Sequence, residues 1–201
     1  MKRPSLTMPP AEPVMLHACC APCSAAIVEW MLNNNIRPVV YFYNPNITPY
    51  EEYAIRRDES RRHAEALGIE WVEGPYDHDE WLRYVSGFEN EPERGARCLL
   101  CFKMRLFHSA RAAQRLGAGC LTTTLASSRW KSQQQLDEAG EFVQNETGMA
   151  FWHQNWRKDG LSERRAALLR EFAFYNQTYC GCEFSQRNAQ NQKREMNNDD
   201  R

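Results

Sequence analysis

Seven of the eight cysteines in this 201-residue chain fall into three groups: Cys19, Cys20 and Cys23; Cys98 and Cys101; Cys180 and Cys182. Such clustering suits metal binding or thiol–disulfide chemistry better than a framework of secreted disulfides. The thiolate is both the metal ligand and the nucleophile, so the surroundings of each sulfur decide its use. At the first group a strand ends directly in adjacent cysteines, and Pro22 stands where a first helical turn would begin. Unpaired backbone N–H groups and the positive end of the helix dipole favour the thiolate there. Cys98 and Cys101 open a second helix, whose period puts them on one face with Arg105 and His108. Leu99, Phe102, Leu106, Ala110 and Ala113 line another face that can cover a sheet. Zinc, iron–sulfur clusters and disulfide exchange all use such a CxxC pair. In Cys180-Gly181-Cys182 the glycine permits the turn that brings two sulfurs onto one centre or into a strained disulfide. Seven thiols exceed the four thiolates of one tetrahedral zinc or one four-iron cluster, which implies two redox or metal elements. Cys120, inside a predicted strand, reads as core. His17 reads as a strand residue turned inward, with proton donation as the alternative.

Short apolar runs predict strands over 13–18, 38–43, 69–73, 118–123 and 149–152. Helical patterning predicts helices over 22–34, 50–67, 77–85, 99–116, 133–146 and 162–175. Their alternation calls for an α/β fold, a Rossmann-like parallel sheet with helices on both faces and ligands beyond the carboxyl ends of the strands. At 42% hydrophobic residues the chain supports one core, and its length suits one domain. That domain is expected over 13–185, between a mobile segment over 1–12, with its prolines, and a polar, disordered tail over 186–201. No apolar run is long enough to span a membrane, and the N-terminus has no signal-peptide core. The expectation is a soluble cytoplasmic protein.

The near-neutral total charge conceals segregation. Residues 70–93 carry eight acids against Arg83, and residues 98–131 carry six bases and no acid: Lys103, Arg105, Arg111, Arg115, Arg129 and Lys131. The basic run reads either as a solvated helix face or as a surface for an anionic partner such as RNA. Tyr43, Tyr50, Trp130 and Trp156 lie near loops, where aromatic rings either join the core or stack on unpaired bases. Asn44 and Asn46 flank Pro45 after the second strand, in a binding loop or a simple turn.

Taken together, Leu16 to Cys23, Tyr41 to Ile47, Glu52 to Arg57, Cys98 to Leu106, Thr122 to Leu125, Arg157-Lys158 and Tyr175 to Cys182 resemble the cobalamin-independent epoxyqueuosine reductase family, the QueH type. The resemblance covers about residues 13–185 and implies a fold similar to the HUP/PP-loop adenine-nucleotide hydrolase-like group. It implies reduction of the cyclopentane epoxide of epoxyqueuosine to an alkene at the wobble position of transfer RNA, the last step to queuosine. It implies a [4Fe-4S] cluster on Cys19, Cys20, Cys98 and Cys101. It gives Cys180 and Cys182 a redox-active pair, which could form a disulfide, or part of a second mononuclear metal site, of iron or zinc, that Cys23 could complete. The implied partners are the anticodon loop of queuosine-family transfer RNA and an external electron donor such as a ferredoxin or flavodoxin, with no membrane.

Arg105, Arg157 and Lys158 are candidates for RNA phosphates. Asn155 departs from the Asp expected before Arg157-Lys158: it keeps the shape and loses the charge, leaving Asp159 as the nearest acid. Two other functions compete. A zinc-stabilised, non-redox RNA-binding module would use the thiols only for folding. A PP-loop ATP-dependent transfer-RNA-modifying enzyme would need glycines that the loop from Cys19 to Ser24 lacks.

Overall fold

The computed structural model describes residues 6–187. Five strands, β1 (Val14–Ala18), β2 (Val39–Phe42), β3 (Trp71–Glu73), β4 (Cys120–Thr123) and β5 (Ala150–Phe151), form one parallel sheet in the order β3-β2-β1-β4-β5. The helices are α1 (Ala21–Asn33), α2 (Tyr50–Ala66), α3 (His78–Tyr84), α4 (Ala96–Arg115), α5 (Gln133–Thr147) and α6 (Leu161–Glu171). All five predicted strands and six predicted helices occur, with ends displaced by a few residues. Two elements were not anticipated, a 3-10 turn at Thr124–Ser127 and a helical turn over 183–187.

β1 is buried along its whole length, as expected for a central strand covered on both faces. α1 packs against α2 and α6, while α4 packs against α3 and α5. Trp30, Trp152 and Trp156 interlock under α1, with ring centroids 5.2 to 6.2 Å apart. Cys120 is fully buried, as its reading as core requires.

Residues 6–12, expected to belong to a mobile segment, make specific contacts with the domain. Leu6 is buried, its N–H donates to Asp159 at 2.9 Å, and the Ala11 carbonyl accepts from Cys120 Sγ at 3.0 Å. Just after it, at the amino ends of β1 and β4, the Gly119 N–H donates to the Pro13 carbonyl. The rest of the expected N-terminal segment, 1–5, and the expected tail from 188 onward lie outside the described residues.

Gly140 marks where α5 crosses β5. A Cβ placed there would lie 2.3 Å from the buried ring of Phe151. Helix propensity alone favours alanine in a helix interior by about 0.5–1 kcal/mol, whereas overpacking costs about 1–3 kcal/mol. Gly140→Ala is therefore expected to lower stability in urea denaturation, and a stabilised variant would contradict this packing.

Candidate metal centre and cationic cavity

β1 and β4 are neighbours whose chains leave toward opposite edges of the sheet, so a crevice opens beyond their carboxyl ends. The first cysteine group occupies it. Cys20 caps α1 in an extended conformation, Pro22 lies in the first turn, and Cys23 follows it. Across the crevice Thr124, which follows β4, accepts the Cys19 N–H at 3.1 Å and donates to Cys19 Sγ at 3.4 Å. The sulfurs of Cys19, Cys20 and Cys23 all lie within 4.8 Å of one another, with Cys19 and Cys20 3.8 Å apart. A tetrahedral metal with sulfurs at ~2.3 Å has an S–S edge of about 3.8 Å, so three such ligands fit one ion with a fourth position open. Hydrogen bonds from Cys19 and Cys20 hold the Cys23 thiol well below its ordinary value, with the Arg165 charge adding to them. Cys20 is pushed up by its hydrogen bonds with Cys19 and Cys23 and by burial. Gln177 Nε2 donates to Cys20 Sγ at 3.1 Å, the kind of outer contact that orients a metal ligand.

The other four sulfurs share a second neighbourhood. Cys101 and Cys182 are buried in one apolar cluster with Trp81, Val85, Met104 and Phe184. Cys98, Cys180 and Cys182 line a pocket of about 20 Å³. Burial, and then the charge of Cys180, pushes Cys98 up to about 11 and Cys182 higher still. Lys131 Nζ donates to Cys180 Sγ at 2.7 Å. Burial works against its charge, and the contact with Cys180 more than restores it. In the structure Cys98 and Cys101 neighbour Cys180 and Cys182, and Cys23 lies beside Cys19 and Cys20.

The position of the CxC turn has a mechanical cause. Arg56, 2% exposed and held by Glu52 at 2.7 Å, donates to the carbonyls of Cys180 at 3.0 Å and Tyr179 at 3.3 Å. Ser185 Oγ accepts the Cys180 N–H, and Thr48 N–H donates to the Gly181 carbonyl. Gly181 has φ +133°, and a Cβ there would meet Ile47 Cγ1 at 2.9 Å. The CxC turn is thereby folded back over the start of α4, where Cys98 and Cys101 stand.

Between the two thiol groups lies a cavity of about 720 Å³ whose walls include Cys19, Cys23 and Cys180. Arg56, Arg105, Arg129, Lys131, Arg157 and Arg165 line it, against one acid, Glu93. The basic run 98–131 is thus not one face. Lys103 pairs with Glu138 at 2.8 Å on the exterior, while Arg105, Arg129 and Lys131 reach the cavity. Arg105 is 2% exposed and bonded to Asn44, both lining the cavity. Arg157 is on the wall, fixed by Asn155 Oδ1, which accepts from its backbone N–H at 3.2 Å and its Nε at 2.9 Å. Asn155 thus keeps a local orienting role without charge, and Asp159 turns to Leu6. Lys158 is exposed beside this turn. Tyr43 and Trp156 are core, Tyr50 is exposed and stacks on Tyr53, and Trp130 is exposed at the cavity. Sequence reasoning gave Arg165 no role, placed Lys131 only in the basic run, and held Arg56 and Gln177 only as members of matching segments. They are scattered over distant segments, and no spacing links them.

His17 Nδ1 lies 2.8 Å from Thr123 Oγ1 and Nε2 lies 3.1 Å from the Tyr43 carbonyl, so both ring nitrogens are used internally. Burial, and then the charge of Arg105, lowers its value from 6.5 to about 3. The unfolded ring gains a proton below about pH 6.5 and the folded ring does not, so this residue makes stability fall as pH drops from about 6.5 toward 3. NMR of the metal-free protein at about pH 5 is expected to show a neutral His17 ring, and a charged ring would contradict the burial. Arg56→Met leaves the Glu52 carboxylate without its ion-pair partner, with only the Tyr175 hydroxyl bonded to it, and frees two carbonyls, at a cost of about 3 kcal/mol or more. Amide exchange over 179–187 is expected to accelerate relative to β1, and unchanged exchange would remove the clamp.

The family model described as epoxyqueuosine reductase QueH matches residues 14–188. A protein of Histophilus somni named epoxyqueuosine reductase QueH is 41% identical over 197 residues, covering 97% of this chain and 81% of that one. Proteins of the same name from Haemophilus influenzae and Acinetobacter baylyi are 41% and 39% identical, covering 88% and 89% of this chain and 72% and 83% of theirs. Among solved structures, a predicted subunit of a tRNA methyltransferase from Methanocaldococcus jannaschii superposes with a TM-score of 0.53 at 11% identity, covering 78% of this chain and 75% of that one; the likeness is one of fold. With the match spanning the sheet, both thiol groups and the cavity between them, the chain belongs to the epoxyqueuosine reductase QueH family.

Proposed function

We propose that the protein reduces epoxyqueuosine to queuosine at the wobble position of transfer RNA. The observation that carries this reading is the convergence of seven thiols on the walls and flanks of one cationic cavity, in a chain of this family. The balance is an epoxide plus two electrons and two protons giving an alkene and water, so an external one-electron carrier such as a ferredoxin or flavodoxin must supply the electrons. Action on transfer RNA assigns the protein to the cytoplasm. Among the described residues no helix is long and apolar enough to cross a membrane.

The donor sets fit two metal groups. Cys19, Cys20 and Cys23 suit a single iron or zinc with an open position. Cys98, Cys101, Cys180 and Cys182 would offer four thiolates to a [4Fe-4S] cluster. Such groups, when bound, supply single electrons and a Lewis acid for the departing oxygen. The chain's own residues do the rest. Thr124 and Gln177 orient the first thiol set, Lys131 offsets the charge of the second, and Arg157 attracts RNA phosphates at the mouth, with Lys158 on the adjoining turn. A flipped wobble nucleotide would thereby enter a cavity whose charge complements its own.

The division that the resemblance implied, with the cluster on Cys19, Cys20, Cys98 and Cys101, gives a different result in one experiment. If Cys180 holds the cluster, anaerobically reconstituted Cys180→Ala loses most of its iron and acid-labile sulfide. If Cys180 and Cys182 are a separate redox pair, the same variant stays brown and loses turnover. Wild-type protein is expected to bind about four or more irons per chain and to form queuosine in transfer RNA under a strong reductant. A fully loaded protein that forms none would refute the proposed activity. A colourless, zinc-loaded protein would favour the RNA-binding module, and RNA-dependent pyrophosphate release the PP-loop enzyme.

A further inference from the structure

Asn46 and Arg105 are each 2% exposed and both line the large cavity. Asn46 Oδ1 and Arg105 Nε are buried without a hydrogen-bond partner, as are Gln177 Oε1 and Arg165 Nε on the same walls. Native proteins satisfy buried polar atoms, so orphans that gather around one cavity point to a ligand that completes them. The frame that holds them is rigid. Asn44 accepts from Arg105 through Oδ1 and donates to the Ala18 carbonyl at 2.9 Å. The turn carrying Asn46 is held from outside by His78 Nδ1, 2.7 Å from the Pro45 carbonyl, and by Tyr76, whose hydroxyl donates to the Ile47 carbonyl at 2.8 Å. This turn follows β2 directly, beyond the carboxyl end of the sheet.

We infer that Asn46 and Arg105 determine specificity for the modified base by binding the oxygen-bearing cyclopentane ring. The inference rests on the cavity's being the site of epoxyqueuosine reduction. Asn46 Oδ1 only accepts and Arg105 Nε only donates. A hydroxyl does both, so a ring hydroxyl can satisfy either orphan, and the epoxide oxygen is a further acceptor for a guanidinium. Guanine lacks the ring and leaves both atoms unpaired. Sites built to bond a substrate hydroxyl reject the analogue without it strongly for this reason. Asn46 and Arg105 thereby fix the ring between the two thiol groups, as positioning residues for the proposed reaction.

Anisotropy titrations of cluster-loaded protein without reductant would compare two anticodon stem-loops, carrying epoxyqueuosine or guanine at the wobble position. Wild-type protein is expected to prefer the first by about tenfold or more. Asn46→Leu is expected to bring the two affinities within about twofold by weakening only the modified RNA. Asn46→Asp, which keeps the acceptor, is expected to retain the preference. Should Asn46→Leu fail to fold, Arg105→Lys, which withdraws the Nε donor and keeps the charge, is expected to lose it. A preference unchanged in the folded Leu or Lys variant overturns the inference. So does equal binding of both RNAs by a wild-type protein that reduces epoxyqueuosine. Loaded wild-type protein that prefers the modified RNA and yields no queuosine would instead refute the activity and leave the recognition standing.

Discussion

The arrangement of sulfur in this protein depends on one buried guanidinium. Arg56 reaches from α2 to two carbonyls of the CxC turn, and Glu52 compensates its charge. A lysine in its place could offer neither the fork geometry nor the simultaneous hold on carboxylate and carbonyls. Without that tether the turn is left to the bonds of Thr48 and Ser185, and the cavity wall formed by Tyr179 and Cys180 loses its buried anchor. Gly181 matters for a related reason: its backbone lies so close to Ile47 that a side chain would separate the turn from the sheet end.

Electrostatics then decides what the cavity can contain. Several thiols gathered in a partly desolvated space repel one another once ionised, and the upward displacement of Cys98 and Cys182 records that repulsion together with burial. Lys131, Arg165 and Arg56 counter it, each close to a different sulfur. The same cations give the open space a positive potential. Holding reduced sulfur and attracting a polyanion are therefore served by one set of side chains.

Much of this was legible in the sequence, and unevenly so. The parallel sheet followed from short apolar runs alternating with helical patterning, and Pro22 after paired cysteines announced the start of α1. The grouping of thiols was not legible, because it depends on contacts between residues 56, 131 and 180, which no local period connects. Local charge misled in a similar way. The run from Lys103 to Lys131 looked continuous, yet α4 turns Arg105 inward and Lys103 outward, and the cavity draws its remaining arginines from α2, α6 and the turn before α6. Trp156 and Tyr43 lie near loops and belong to the core, whereas Trp130 does not, a distinction set by burial rather than by residue type.

The two thiol groups also differ in how much chain each one spans. Cys19, Cys20 and Cys23 come from a single strand-to-helix junction, while the second neighbourhood joins the start of α4 to a turn about eighty residues later. During synthesis on the ribosome the first set is present early, and the second cannot exist until Cys182 has emerged and the helical turn over 183–187 has folded back. The order in which the two sets of sulfur become complete is therefore built into the chain: the first needs only its strand-to-helix junction, and the second needs nearly the whole domain.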